Sequence, residues 1–363
     1  MMNDSTPDHS AHEPSGGTTT GPGPITYEDR VLGCLLGTMA GDAYGVLYAA
    51  GDDPIIALDD PAASAVSDAT QLTLYTVDAL IEALEWANDG VAADETACLW
   101  LAYLRWLGRQ GEHLPSNAPA PPARWLDRQE DLLPVHDADA DTVRALLTGE
   151  MGTQARPLNP TAQGPGALMR SAPFGLVPRI PASMVERLAI EGAALTHGSP
   201  EARSTAALYS AVIRALAIDG LTLEGAISEE RVGEIHLARE APRDAAGRLS
   251  AGEPAPDSPA IAGSGNPAGG TTAAGTFAAA LQAAREGAGA PASPRGQLEA
   301  AVAHAASAGR PDASPVVAAS LAGGIIGALH GTGALPPVYL TAPGLADVVR
   351  SLTRILLRAT TGS

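Results

Sequence analysis

The chain has 363 residues, 45% hydrophobic and only 4% aromatic, which suffices for one large core packed mainly with small aliphatic side chains. Its formal charge is −19 and every one of its 22 cations is arginine, so it repels phosphate backbones and nucleic-acid binding is excluded as a primary role. The two cysteines, Cys34 and Cys98, sit in apolar helical patterns and read as buried small hydrophobes, too few for a zinc framework.

Residues 1–25 form a Ser/Thr/Gly/Pro-rich tail with too little apolar surface to fold, and they carry no basic start or apolar run of a secretory signal. Asp29–Ala40 then reads as a compact apolar helix. In Gln71–Trp86, Val77, Leu80, Ile81 and Leu84 recur at i, i+3, i+4 and i+7, a stripe that faces a core. Thr96–Leu107 repeats that pattern with Trp100, Leu101, Leu104 and Leu107. Further helices are expected at Met184–Ala194, Pro200–Ile218, Leu298–Ala308, Pro315–His330 and Leu345–Leu357. No alternating strand pattern occurs, so the expected fold class is all-α, an orthogonal multi-helix bundle with long loops. Its single domain spans 26–358. A flexible Gly/Pro/Ala-rich insert at about 239–295 interrupts it, with one short helix at Thr276–Arg285. Val316–Leu329 is apolar but short and glycine-broken for a bilayer span, and a cytoplasmic protein is the expectation.

Two polar clusters open helices. Ser67-Asp68 precedes an apolar-periodic run, as a cap oxygen and a first-turn acid do at any helix N-terminus. Ser314-Pro315 is likewise an N-cap followed by proline at the first helical position.

Four ordered blocks give these clusters a second meaning. They are Arg30–Gly45 with its Gly41-Asp-Ala-Tyr-Gly45 turn; Ser67-Asp-Ala-Thr-Gln71; Gly164-Pro-Gly-Ala-Leu-Met-Arg170 with Leu195-Thr-His-Gly198; and Gly309-Arg-Pro-Asp-Ala313 with the glycine-containing helix after it. Together they resemble the ADP-ribosylglycohydrolase family from about Tyr27 to Gly331. That resemblance implies cleavage of the bond between ribose C1 and a protein side chain or nucleotide, assisted by two magnesium ions on carboxylate and threonine oxygens.

Carried over position by position, the family's ligand set falls on Ala49, on Ser67, Asp68 and Ala69, and on Arg310, Asp312 and Ala313. Only Asp68 and Asp312 remain as carboxylates and as catalytic candidates, and Arg310 puts a cation where a ligand belongs. The set Ser67, Asp68 and Asp312 would hold no metal or one weakly bound magnesium, and Asp42, Asp52 or Asp53 are the possible substitute carboxylates. Gly164, Gly166, Met169, Arg170 and His197 match family positions for ligand binding, although Arg170 reads equally well as structural and His197 reads more readily as a hydrogen-bonded cap after a helix. The resemblance thus implies an impaired member that keeps an ADP-ribose-type ligand or an ADP-ribosylated protein as its partner. The alternatives are an active magnesium-dependent hydrolase using one metal or substitute carboxylates, and a regulatory interaction protein without nucleotide binding.

Overall fold

The computed structural model describes residues 1, 24–62, 65–132, 138–228 and 270–361. The N-terminal tail and most of the glycine-rich insert expected from the sequence lie outside these residues. The described residues hold helices and turns and no strand. In chain order the helices are α1 (Tyr27–Ala50), α2 (Ile55–Asp59), α3 (Asp68–Asn88), α4 (Glu95–Arg109), α5 (Ala140–Leu146), α6 (Ala172–Leu176), α7 (Ala182–Ala194), α8 (Pro200–Ala217) and α9 (Leu223–Ala226). After residue 270 come α10 (Ala273–Gly289), α11 (Pro294–Ser307), α12 (Pro315–His330) and α13 (Leu345–Thr361).

The short helices α2, α5, α6 and α9 were not expected from the sequence, and of the expected helices α1 and α10 depart furthest, for physical reasons. α1 runs ten residues past Ala40, so Gly41-Asp-Ala-Tyr-Gly45 is helix and not a turn; Gly51, at φ 79°, closes it instead. Its glycines recur every fourth residue and let α12 approach backbone to backbone. A Cβ on Gly37 would lie 2.3 Å from the Gly323 carbonyl oxygen, and one on Gly41 would lie 2.1 Å from that of Ala319. Such contact is the core seam of the fold, and it offsets glycine's weak helix propensity. By length and composition Tyr27–Ala50 and Pro315–Ala334 both suffice for a membrane span, yet 78% and 72% of the apolar stretch in each is buried inside the protein.

The second difference is α10. The sequence suggested a short helix at Thr276–Arg285 inside a loose insert, but the helix covers Ala273–Gly289 and buries Ala273, Phe277, Ala280 and Ala284 against the body. Its alanine-rich face has little hydrophobic periodicity to read, because alanine is unremarkable in a loop and well suited to close helix packing.

α3 and α4 are joined by buried charge. Arg105, 6% exposed, pairs with Asp78 at 2.5 Å, and Arg124 reaches the same carboxylate at 3.0 Å. Cys34 and Cys98 are free and buried, and burial pushes the Cys34 thiol up to about 12. Gly108 offers a control for glycine packing, since it sits in α4, exposed, with nothing within 4 Å of an added Cβ. Gly108→Ala is expected to stabilise the protein by about 0.5–1 kcal/mol in urea unfolding, through helix propensity and unfolded-state entropy.

Candidate functional site

The site is assembled at the start of α3. Ser67 caps that helix, its Oγ accepting from the Ala69 amide at 3.0 Å. Beneath it lies Asp42, fully buried in the middle of α1. Its carboxylate accepts from the amide and hydroxyl of Ser67 at 3.0 and 2.7 Å, and from those of Thr70 at 3.1 and 2.5 Å. A carboxylate with four donors at a helix N-terminus is a cap held by the dipole and the free amides. Burial still raises its pKa, and those four bonds oppose the rise. Asp42 therefore anchors α3 to α1. Asp52 and Asp53 are exposed beyond α1, where Asp53 caps the Ile55 amide at 3.1 Å.

Asp68, the first residue of α3, is 8% exposed and accepts from the Asp139 amide at 2.7 Å. Its pKa is raised to about 7, chiefly by burial; the bond from the Asp139 amide and the charge of Arg170 oppose the rise, and the carboxyls of Asp139 and Asp42 add to it. A carboxyl that titrates near neutrality is suited to giving and taking protons.

Asp139 and Asp141 flank the start of α5. Asp139 caps that helix through the Thr142 amide at 2.7 Å, and its Oδ2 lies 3.3 Å from His197 Nε2. The Gly164–Gly166 loop closes over this pair. A Cβ on Gly166 would strike Asp139 Oδ2 at 2.5 Å and His197 Cε1 at 2.7 Å, so the glycine is what admits both side chains.

His197 is fully buried, and burial lowers its pKa, with Asp139 as the main opposing influence. Its Nδ1 shares a 2.9 Å hydrogen bond with Thr196 Oγ1, which itself accepts from Arg170 at 2.6 Å. The assignment that leaves the threonine proton for Nδ1 puts the ring proton on Nε2, toward Asp139, where alignment is too poor for a hydrogen bond. Arg170 is 1% exposed and stacks over the Tyr103 ring, 4.1 Å from its centroid. Its donors are turned to Thr142 and Thr196, so it braces the cluster from behind. Met169 is buried in the main core, and its carbonyl accepts from Thr73 at 3.1 Å.

Arg310 and Asp312 form an exposed bidentate pair, at 3.2 and 3.0 Å, which holds the Asp312 carboxyl below its usual range. The Asp312 carbonyl accepts from the Thr272 amide at 2.9 Å, and the next amide, Ala273, donates to Gln163 of the glycine loop at 2.7 Å. The start of α10 thus joins the glycine loop to the Arg310–Asp312 turn. Ser314 caps α12 through the Val317 amide at 3.3 Å, with Pro315 as its first residue. Of the remaining sequence-derived positions, Ala69 is fully buried, Ala313 is buried and Ala49 is exposed. Among the described residues, no group of three or more His, Cys, Asp or Glu side chains is arranged to hold a metal ion.

Asp139, Asp141, Thr142 and Thr196 were not among the residues singled out from the sequence. Asp139 three residues before Thr142 is an N-cap spacing, the only local signal any of them carried.

The model of the family described as ADP-ribosylglycohydrolase matches residues 23–363. A solved structure titled "ADP-ribosylglycohydrolase-related protein complex" is similar with a TM-score of 0.53 and 22% identity, covering 92% of this chain and 99% of that one. At that identity the likeness is one of fold. No curated protein matches the sequence.

Proposed function

The chain belongs to the ADP-ribosylglycohydrolase family, and on that premise we propose that it is a member with impaired metal-assisted hydrolysis that still recognises an ADP-ribose-type ligand, free or attached to a protein. The observation that carries this reading is how one of the two surviving carboxylates, Asp312, and the substitute candidate Asp42 are already engaged. Asp312 is in a bidentate pair with Arg310, and Asp42 is taken up by the start of α3. Three further ligand positions are the alanines 49, 69 and 313. Such a donor set does not suit two divalent ions, which need several unengaged anionic oxygens around each ion.

Calorimetric titration of the whole chain with ADP-ribose, with and without magnesium, tests the proposal. Binding that is the same in both conditions, with no release of ADP-ribose from a modified protein, is the expected result. Magnesium-dependent release would overturn it. No binding in either condition would favour an interaction protein without nucleotide recognition.

One observation favours a second reading, an active enzyme with a substitute carboxylate. Asp139 adjoins Asp68, on an element the family positions do not include. In that case the same titration shows a magnesium requirement, and Asp139→Asn removes it.

A further inference from the structure

We propose that a hollow between α7, α8 and α10, sharing no residue with the Asp68 cluster, binds a small molecule made of an apolar body and one anionic head. It encloses about 380 Å³, within the range of sites that take small organic ligands. Val185 on α7, Val212 on α8, Phe277 and Leu281 on α10, and Ile227 after α9 supply apolar walls. The Phe277 ring is fixed edge-on against Tyr209, with centroids 5.9 Å apart, so this wall is rigid.

Four charged side chains line the hollow: Glu186, Arg214, Asp219 and Arg285. Arg285 is already paired, 3.3 Å from Glu224. Arg214 differs, because its Nη1 is buried and has no hydrogen-bond partner. A guanidinium on the lining that forms no ion pair among the described residues can offer a charge-assisted hydrogen bond to an anion in the hollow while the walls take up the apolar body. The ligand's negative charge is assigned to Arg214 on that ground. Glu186 on the same lining restricts it to a single small anionic group.

The test uses the whole chain with decanoate and 1-decanol as probes that differ in the head group alone. Decanoate is expected to bind at one site, about tenfold more tightly than decanol, the difference one charge-assisted hydrogen bond makes. Arg214→Gln should erase that preference and keep the decanol affinity. Ala211→Trp, which fills the hollow, should abolish both while leaving the melting temperature and the ADP-ribose titration unchanged. The proposal is overturned if the wild type binds no decanoate or shows no preference for it. It is equally overturned if the preference survives Arg214→Gln or binding survives Ala211→Trp. The wild-type comparison decides by itself should either variant fail to fold.

Discussion

Gly37→Val is expected to abolish stable folding, with a loss of about 4 kcal/mol or more. The reason is what the new atoms would meet. The Gly37 Cβ position lies 2.3 Å from the Gly323 carbonyl oxygen and 3.0 Å from its carbon, and both belong to backbone that no rotamer change can move. The contact is reciprocal, since a Cβ on Gly323 would lie 2.1 Å from the Gly37 oxygen. Relief therefore requires α1 and α12 to separate along the whole seam, where Gly33 meets Gly327 and Gly45 meets Val316 in the same way. Overpacking of an ordinary core site costs about 1–3 kcal/mol because side chains can yield. Here they cannot. Separation would also move Asp42, which α1 carries, away from the start of α3 that it caps. Circular dichroism with urea titration measures the effect, and a valine variant within 1 kcal/mol of wild type would show that the seam is looser than its geometry implies. Gly108→Ala, with open space around it, is the matched control.

The glycines of α1 show what the sequence could and could not reveal. Their family spacing was visible, and it supported the correct fold, but the resemblance made Gly41 and Gly45 part of a turn and the local helix reading stopped at Ala40. Only a partner 282 residues away in sequence, as in the Ser320 to Thr38 contact, shows that they are flattening a helix face. Helices with a strong apolar stripe were legible almost to their ends. Pro315–His330 agrees at both termini, and α3 and α4 extend the expected spans by two or three residues at most. α10 was obscured because alanine packs well without producing a hydrophobic period.

The site divides along the same line. Ser67 and Ser314 as caps were readable, because a cap is a local arrangement of oxygen and amide. Arg170 was ambiguous in sequence, and its placement against Tyr103, Thr142 and Thr196 depends on segments brought together by folding. The same holds for Asp139 beside Asp68 and His197. Electrostatic surroundings are long-range facts, so a perturbed carboxyl is invisible until its neighbours are known.

Asp68 supplies the last and most informative prediction, because its carboxyl is held at a disadvantage. Its pKa goes from 3.8 to about 7, burial being the largest cause. The folded protein thus keeps a proton that the unfolded chain releases between about pH 4 and pH 7. With more protons bound to the native state, stability falls as pH rises through that window and is level above it. The full penalty for the ionised carboxylate is on the order of 4 kcal/mol at most. Asp68→Asn removes the ionisation and keeps an oxygen to accept from the Asp139 amide. It is therefore expected to be more stable than wild type at pH 8, by about 1–3 kcal/mol, and close to it at pH 4.5. Urea unfolding at the two pH values tests this directly, and an asparagine variant less stable at pH 8 would mean that the carboxylate is satisfied as an anion. A gain on removing the charge has a functional meaning as well. A buried acid that opposes folding, in a cluster with further carboxyls and a buried histidine, fits a site kept for binding or proton transfer better than one kept for stability. The ADP-ribose titration of the same variant completes the argument: higher stability with weaker binding would place Asp68 among the groups that recognise the ligand.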